Sequence, residues 1–389
     1  MNILHIANDY LGSKVYSSLF ELIEFIHIDQ TVLCFIRKKQ FTRNYVALNE
    51  DNKTWLDCVI EMNSFISEIG RIIPIVRNNF IHKTTNNKLI LYNNFDLVHA
   101  HTLFSNGSYA YYLYRKYEIN YIVTITNSDI NYALKYLFHL EEYILAILKE
   151  ARAIIFTNPV YKLQLQKRIE NRKGFIEIID KKSFIIPFRI SDFWFDNLFM
   201  AKKRPENSEF NLLYVGEISR NKNLIYLINI IKAIPNYKFK LKIVGGTLNK
   251  SANKKYLRYI LKMISSLPNI RYIGEVLDNK KLLELYRESH IFCLTSKLES
   301  FGLVYIEALS QGSPILYSKN QGVDGLFEEG EVGYPADVNS IMNGAEKLMS
   351  IIDNYGTLSR NAILKSREFS RKEIAIKYKK MLTSIGYLD

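Results

Sequence analysis

The sequence predicts an α/β protein built from two doubly wound halves, and three observations support this. Short β-rich runs alternate with longer amphipathic stretches, as in parallel sheets covered by helices. Polar and glycine residues follow many of the β-rich runs. The chain has 389 residues, more than one hydrophobic core usually serves, so we expect two domains of under about 200 residues each. A composition of 48% hydrophobic and 23% charged residues is that of an ordinary folded protein.

The strand candidates fall into two groups along the chain. The first half contains the runs 2–7, 31–36, 97–101, 121–126, 153–158 and 183–187. The second half contains the runs 211–216, 241–246, 270–275, 291–296 and 314–318. We interpret the Asn-rich residues 38–94 as an expanded surface excursion of the first half. Between 187 and 209 the chain loses its periodicity and becomes basic and polar, and we place the domain boundary there, at 195/196.

Polar and glycine residues lie where the predicted strands end. They are Asn8, Asp9, His99, His101, Asn127 to Asp129, Gly216, Glu217, Gly245, Gly246, Gly274, Glu275, Thr295 and Ser296. In open α/β sheets ligands bind outside the carboxyl ends of the strands. Each half is therefore predicted to present a binding edge, and a ligand between the halves would touch both.

The most informative stretch is SKLESFGLVYIEALSQGSPI, which covers residues 296–315. Leu303, Ile306 and Leu309 have the spacing of one face of a helix. Ser300 is a candidate N-cap for that helix. The backbone amides at its start would point outward and form an anion site.

Two carboxylates flank this helix start. Glu299 lies just outside the helix, where it could reach the hydroxyl groups of a ligand bound at the amides. Glu307 lies about two turns inside, among apolar and aromatic neighbours. Because an unpartnered buried carboxylate costs several kcal/mol, we expect a group such as a diol to hydrogen-bond Glu307.

The arrangement Glu, seven residues, Glu, with FG between and EAL-x-x-G-x-P at the end, resembles the signature of retaining glycosyltransferases of family 4. The resemblance implies the GT-B fold, with two Rossmann-like domains facing a central cleft and a C-terminal helix that packs back on the first domain. In that family the second Glu binds the nucleotide ribose, the first contacts the donor sugar, and the F-G-L amides lie against sugar and pyrophosphate. It thus implies these roles for Glu307, for Glu299, and for Phe301, Gly302 and Leu303.

A second segment, LLYVGEISRNKN, resembles the family's strand and G-x(5)-K loop. The resemblance implies that Gly216 begins the donor loop and that Lys222 places its charge on the donor pyrophosphate. The sequence departs from the family at Glu217, where an arginine often follows the glycine. Arg220 could supply the second charge.

Three segments of the first half match the family less closely. FDLVHAHTLFSNG resembles the segment whose second histidine approaches the donor sugar, which implies a catalytic role for His101 and leaves a structural role open for His99. NDYLGSK keeps Gly12 of the glycine loop but lacks a glycine pair. TITNSD stands where the family usually has T-x-H-G-x-D, which implies an acceptor-side role for Asn127 and Asp129.

The resemblance implies a division of labour along the chain. Residues 1–195 would bind the acceptor, 196–370 would bind the nucleotide sugar, and 371–389 would form the returning helix, since FSRKEIAIKYKKML, which begins at residue 369, resembles the family's closing helix. From the residues alone, the last segment could equally be a basic amphipathic helix. The implied activity is transfer of a sugar, with retention of configuration, from a UDP- or GDP-linked donor to a glycan or lipid-linked acceptor of bacterial surface polysaccharide, capsule or lipopolysaccharide synthesis.

We expect no cofactor and no metal, since no Asp-x-Asp follows a predicted strand. Lys222, Arg220 and the amides near Gly302 could stabilise the charge that develops on the leaving diphosphate. Two alternatives remain: a catalytically silent GT-B partner subunit, motivated by Glu217 and the missing glycine pair, and a sugar-nucleotide epimerase, which would need its own acid and base. Donor hydrolysis by the purified protein would separate the first alternative from an active enzyme.

The net charge of +13 indicates a polyanionic partner. Cations cluster at 37–43 and 162–204, and we expect an anionic membrane surface to bind Lys38, Lys39, Lys167, Arg168, Lys181 and Lys182. No motif beyond charge supports nucleic-acid binding. The absence of a long apolar run and of a signal peptide, and the scattered cysteines Cys34, Cys58 and Cys293, lead us to expect a cytoplasmic protein, peripheral on the inner membrane face.

Overall fold

A computed structural model describes residues 1–8, 14–37, 56–62, 66, 70, 72–86, 95–206, 209–235, 238–248 and 250–388. Gly12, Lys38 and Lys39 lie outside the described residues. The chain divides into a first unit, Met1–Arg189 with Arg371–Asp389, and a second unit, Ile190–Ser370. The division between Arg189 and Ile190 falls inside the 187–209 window, slightly before the position chosen from the sequence.

The first unit contains a parallel sheet with the strand order β3-β2-β1-β4-β5-β6-β7. Its strands are β1 (Asn2–Ile6), β2 (Asp29–Arg37), β3 (Leu56–Met62), β4 (Leu97–Ala100), β5 (Tyr121–Ile125), β6 (Ala153–Phe156) and β7 (Ser183–Ile185). We expected residues 38–94 to be a surface excursion, and this was wrong for β3 and for the helix Pro74–Asn86. The pattern LDCVIEM places an acid near each end of a short apolar run, which weakened the strand signal; β3 is the first strand in the sheet order.

Helices cover both faces of this sheet. They are α1 (Lys14–Phe25), α2 (Pro74–Asn86), α3 (Gly107–Tyr117), α4 (Glu141–Glu150), α5 (Pro159–Arg168), α6 (Lys173–Lys182) and, from the end of the chain, α14 (Arg371–Ser384). Short turns at Asp129–Ala133, Leu134–Tyr136 and Phe138–Leu140 join β5 to α4. Alternate strand residues face opposite sides, so Ile3 and Leu97 pack with α1 and α14, while Leu4 and Val98 pack with α3 and α4. The C-terminal helix therefore packs on the first unit, as predicted.

The second unit contains a parallel sheet with the order β10-β9-β8-β11-β12-β13. Its strands are β8 (Glu209–Val215), β9 (Lys238–Val244), β10 (Ile270–Gly274), β11 (Ile291–Cys293), β12 (Ile315–Ser318) and β13 (Gly333–Ala336). Its helices are α7 (Asp192–Asp196), α8 (Leu224–Lys232), α9 (Ser251–Ile264), α10 (Asn279–Glu288), α11 (Leu303–Ser310), α12 (Ile341–Asp353) and α13 (Tyr355–Ser366). The strand β13 was not predicted, because its residues GYPA carry a glycine and a proline. A proline is tolerated at a sheet edge, where β13 lies.

Both sheets reverse their strand order at one point, and the candidate site residues lie near these two points. In the first unit the reversal lies between β1 and β4, which pair in register at His5 and His99. In the second unit it lies between β8 and β11. Ligands of doubly wound sheets bind at such switch points. Among the described helices, none is long and apolar enough to cross a membrane.

Candidate active site

Two loops meet at the switch point of the second unit, one after β8 and one after β11. Asn221 connects them: its carbonyl accepts from the Lys297 amide at 2.8 Å. Its side chain donates to the Leu298 carbonyl at 2.9 Å and accepts from the Leu298 amide at 3.1 Å. Asn221 was not among the predicted site residues, although it directly precedes the lysine of the G-x(5)-K loop. The three contacts hold the next residues along the two loops, Lys222 and Glu299, opposite one another.

Lys222 and Glu299 form an ion pair at this junction. The Lys222 Nζ lies 2.6 Å from the Glu299 Oε2, and the two side chains are 19% and 8% exposed. Ser296 donates to the same carboxylate oxygen at 2.9 Å, and the Glu299 amide donates to the Gln321 Oε1 at 3.1 Å. Charge-assisted hydrogen bonds of this kind are strong because burial excludes water. The structure thus brings together the two residues that the sequence assigned to donor phosphate and donor sugar.

Two glycines bring backbone close to this pair. Gly322 has a φ of +61°, and a Cβ there would lie 3.0 Å from the Glu299 Cγ. Gly302 has a φ of +78° and immediately precedes α11; a Cβ there would lie 2.5 Å from the Tyr305 ring. The N-cap is therefore Gly302 and not Ser300, because the chain enters the helix through a left-handed residue. The amides of Leu303 and the next residues begin the helix beside the ion pair.

Glu307 is only partly buried, so its sequence interpretation as a buried carboxylate was wrong; Glu299 is the buried one. The hydroxyl of Tyr286, on α10, donates to the Glu307 Oε2 at 3.0 Å. Burial raises the pKa of Tyr286 well above its ordinary value, and the Glu307 charge adds to that rise. The phenol therefore stays protonated and remains a donor. Tyr286 has no motif of its own, and sequence analysis did not identify it.

Residues just after the unit boundary hold Tyr286 in place. The Trp194 ring meets the Tyr286 ring edge to face at 5.4 Å. The Lys202 Nζ donates to the Tyr286 carbonyl and to the Ser313 Oγ, both at 2.7 Å, and to the Ser289 carbonyl at 2.5 Å. Burial lowers the pKa of Lys202 to about 7. Lys202 belongs to the basic 162–204 stretch, and it serves the interior of the second unit, where it satisfies carbonyls at the end of α10.

Glu217 and Arg220 lie on the same loop as Lys222, outside the ion pair. Glu217 accepts from the Asn253 side chain at 2.7 Å and lies 3.2 Å from the Lys250 Nζ, at the start of α9. Arg220 is exposed on the same loop. Gly216 lies where the strand ends pack tightly, since a Cβ on Gly245 would come within 1.8 Å of the Gly216 carbonyl oxygen.

In the first unit the predicted histidines form a closed cluster with His5. The His5 Nδ1 and His101 Nε2 are hydrogen-bonded at 3.0 Å, and His101 is 1% exposed. His99 hydrogen-bonds the Thr124 hydroxyl at 2.8 Å and the hydroxyl of Tyr378, on α14, at 3.0 Å. Burial lowers the pKa of His101 to about 3 and those of His5 and His99 well below the ordinary value. All three imidazoles are therefore neutral near pH 7.

Asp129 and Asn127 organise the turn after β5. Asp129 is buried, and its carboxylate accepts from the Thr126 amide and hydroxyl, both at 2.9 Å, and from the Phe104 amide at 3.3 Å. Burial raises the pKa of Asp129, and these hydrogen bonds oppose the rise. Asn127 donates to the Tyr161 hydroxyl at 3.1 Å. Both side chains thus hold local structure at the carboxyl edge of the first sheet.

Comparison with known proteins decides the family of the second unit. Residues 196–369 match the model of glycosyl transferases group 1. The second unit is a group 1 glycosyltransferase domain. An uncharacterized 41.2 kDa protein in the cps region of Klebsiella pneumoniae is 25% identical over 91% of this chain and 90% of its own length.

Two solved structures cover 99% of this chain. The apo form of the lipopolysaccharide outer core galactosyltransferase WaaB has a TM-score of 0.73 at 15% identity, over 99% of its chain. Anabaena Alr3699/HepE in complex with UDP and glucose has a TM-score of 0.65 at 15% identity, over its whole chain (100%). The chain thus has the GT-B fold predicted from its sequence, with a second unit that matches the group 1 glycosyltransferase model.

Proposed function

We propose that this group 1 glycosyltransferase transfers a sugar with retention of configuration and without a metal ion. The observation that carries the proposal is the Lys222–Glu299 ion pair at the switch point of the second unit. The pair stands beside the start of α11, and Glu307 follows on the same helix. A nucleotide sugar requires a cation and outward-facing amides for its diphosphate. It also requires carboxylates that accept hydrogen bonds from its hydroxyl groups.

In the proposed mechanism the donor diphosphate lies against Lys222 and the amides that begin α11. Glu307, oriented by Tyr286, accepts hydrogen bonds from the ribose diol. The diphosphate competes with Glu299 for the Lys222 ammonium, which frees Glu299 to accept from a hydroxyl of the donor sugar. Because charge builds on the diphosphate as the glycosidic bond breaks, the Lys222 contact strengthens in the transition state.

The bonds and the proton balance without an enzyme nucleophile. The bond between the anomeric carbon and the diphosphate oxygen breaks, and its electron pair stays on the oxygen. The acceptor hydroxyl attacks from the same face, and its proton passes to the leaving phosphate. We place His101 in the neutral cluster that lines the sheet edge of the first unit, and we propose that Asn127 and Asp129 shape the acceptor side.

We propose UDP as the nucleotide, with GDP as the alternative, since a structure of similar fold contains UDP and glucose. The acceptor would be a glycan or a lipid-linked glycan of surface polysaccharide synthesis. A similar protein comes from a cps region, and a structure of similar fold is a lipopolysaccharide galactosyltransferase. The silent-subunit alternative predicts no chemistry on the donor.

A panel of UDP- and GDP-sugars tests the proposal, with released nucleoside diphosphate as the readout. We expect slow hydrolysis of one donor, faster release with an acceptor, and little change when a chelator is added. The anomeric proton coupling of the product, read by NMR, reports the stereochemistry. An activity abolished by chelation and restored by magnesium would contradict the metal-free proposal, and complete inertness toward every donor would favour a silent subunit.

We also propose that the first unit binds an anionic membrane, through a patch that the sequence did not single out. Tyr132, Tyr136 and Phe138 are 45%, 56% and 71% exposed, and Lys135 lies among them. Arg168 donates to the Leu134 carbonyl at 2.7 Å, which brings the end of α5 to this patch. Exposed aromatics beside cations are typical of membrane–water interfaces. Lys182, by contrast, donates to the carbonyls of Lys149 and Ala151 and is less suited to the lipid contact expected of it.

Sedimentation with vesicles tests the membrane proposal. Tyr136→Ser with Phe138→Ser should weaken binding to phosphatidylglycerol vesicles several-fold, and added salt should weaken the wild type. Leu163→Ser, at another exposed apolar residue of the first unit (62% exposed), serves as the control. Equal binding to neutral and anionic vesicles at low salt would overturn the proposal.

A further inference from the structure

A cavity of about 530 Å³ lies in the second unit, beside the loop that carries Lys222. Its walls come from the Arg220–Asn223 turn, from the first turns of α9 and from Lys297. This volume is within the usual range of small-molecule sites, about 300–1,000 Å³. The sequence motifs reach this cavity only through Arg220, which was expected at the donor diphosphate, and the proposed donor contacts do not account for it.

The cavity is cationic. Arg220, Lys255 and Lys297 line it, and no acidic residue is part of its lining. Other lysines of the second unit are paired with glutamates, namely Lys240, Lys242, Lys250, Lys347 and Lys365. Within the described part of the chain, no carboxylate lies at ion-pair distance from the three cavity cations. Like charges around a concave surface concentrate a positive potential, which an anion would relieve.

Two tyrosines give the cavity a defined wall. Tyr256, on α9, is buried and lines the cavity together with Ile225 of α8. Burial raises the pKa of Tyr256, and the charge of Arg220, which lines the same cavity, acts in the opposite direction. Tyr259 follows one turn later and is 57% exposed, which leaves its ring available to a ligand.

The helices that flank the cavity and the helix that begins at the proposed donor site cover opposite faces of the sheet. From the switch point, the connections β8 to β9 and β9 to β10 lead toward one edge of the sheet. The connection β11 to β12 leads toward the opposite edge. Since such crossovers are right-handed, α8 and α9 cover one face and α11 covers the other. Arg220 and Lys297 each precede a member of the ion pair by two positions, so the two sites share their loops.

We propose that this cavity binds a phosphoryl or diphosphoryl group carried by the acceptor substrate. The inference rests on the proposed function, in which the donor diphosphate occupies Lys222 and the start of α11. A second anion site on the other side of the same loops would then hold the acceptor by its phosphate. A soluble sugar phosphate and a lipid-linked diphosphate share this chemistry.

Calorimetry with inorganic pyrophosphate tests the site directly, with saturating UDP present to occupy the donor position. We expect one equivalent to bind, and Lys255→Gln with Lys297→Gln to weaken binding at least about tenfold. The matched control is Lys240→Gln with Lys242→Gln, which removes the same net charge from two lysines paired with Glu209 and Glu288. Equal weakening in both double variants, no binding, or complete displacement by UDP would overturn the proposal.

The outcome separates this inference from the donor assignment. If UDP does not bind, the proposed function fails, and pyrophosphate measured alone still reports on the cavity through the two double variants. With an active enzyme, the cavity variant should raise the KM for a phosphorylated acceptor at least about tenfold; a rise confined to the donor KM would contradict the inference. Tighter binding of farnesyl diphosphate than of pyrophosphate would identify a lipid-linked acceptor. Equal affinity for the two ligands would identify a soluble acceptor.

Discussion

The two switch points of this enzyme occupy the same topological position and carry different chemistry. In the first unit, His5, His99 and His101 form a neutral, closed cluster that α14 covers through Tyr378. In the second unit, Lys222 and Glu299 form an ion pair whose lysine is 19% exposed. The segments at the strand ends differ: Tyr378 of α14 contacts His99 at the first edge, and two glycine-containing loops carry the ion pair at the second. A shared sheet topology thus fixes where a site can form, and the loops fix what it can do.

Breaking the ion pair should have the largest effect. Lys222→Gln removes the cation proposed for the diphosphate and leaves Glu299 buried without its counter-ion. We expect kcat to fall by about a thousandfold, since an electrostatic contact to the leaving group contributes several kcal/mol. Unfolding should also become easier by about 3–5 kcal/mol, the usual effect of removing one partner of a buried pair.

A double-mutant cycle separates the two effects of that substitution. Lys222→Gln with Glu299→Gln should recover part of the lost stability and none of the activity. Chemical denaturation and donor turnover give the two readouts, and Lys242→Gln, at an exposed pair, is the control. Equal stability of all four cycle members would show that the pair contributes nothing to the fold.

The two carboxylates of the second unit should differ in kinetics. Glu299→Gln changes a contact to the reacting sugar, so kcat should fall by about a hundredfold or more. Glu307→Gln weakens a contact to the non-reacting ribose and should mainly raise the donor KM, by about tenfold for each 1.4 kcal/mol lost. Normal folding with wild-type kcat and donor KM in both variants would refute the assignment of these residues.

The histidine cluster should make the first unit sensitive to acid. The folded-state pKa of each histidine is lowered, so below the ordinary pKa of about 6.5 the unfolded chain binds protons that the folded chain excludes. The contribution of the cluster to the free energy of unfolding is therefore fully present above pH 6.5. It decreases as the pH falls toward the lowered folded-state pKa values, by about 1 kcal/mol per pH unit for each histidine. His101→Gln should reduce this slope by about one proton in denaturation experiments from pH 7 to pH 5. A slope that stays at its wild-type value in His101→Gln would contradict this prediction.

Removing the Tyr286 hydroxyl should have the smallest effect and the most specific one. Tyr286→Phe keeps the packed ring and removes the donor to Glu307, so the donor KM should rise about three- to tenfold at constant kcat. The increase should vanish with a 2′,3′-dideoxyribose donor and in the Glu307→Gln background. An equal increase with every donor would indicate a general loss of structure instead.

The sequence predicted much of the fold because its signals were local. Alternating strands and amphipathic helices, and the polar residues after the strands, are set by neighbours along the chain. β3 and β13 were missed because acids near the ends of one and a proline in the other weaken the strand pattern, and pairing with a neighbouring strand supplies what the local sequence does not.

The candidate site was predictable where a motif recorded it and not where only the fold creates it. Glu299, Glu307 and Lys222 stand in motifs, so spacing found them. The contacts of Asn221, Tyr286 and Lys202 join residues 77, 21 and 84 positions apart, and no local pattern reports such contacts. Burial was misjudged for the same reason: Glu307 has apolar neighbours in the chain, but its exposure depends on which helix face it occupies.

The position of α14 has a consequence for how the protein is made. Tyr378, Met381 and Leu382, all fully buried, belong to the same apolar cluster as Ile3 and Leu97. A ribosome that has synthesised residues 1–189 has therefore produced an incomplete core, because its last piece is translated only after the whole second unit. Each missing side chain of this size withholds about 1.5–3 kcal/mol. Nascent first units should therefore expose apolar surface while the second unit is synthesised, and they should depend on chaperones during that time. Removal of the last turns of α14 should lower the yield of folded protein more than removal of an ordinary chain terminus.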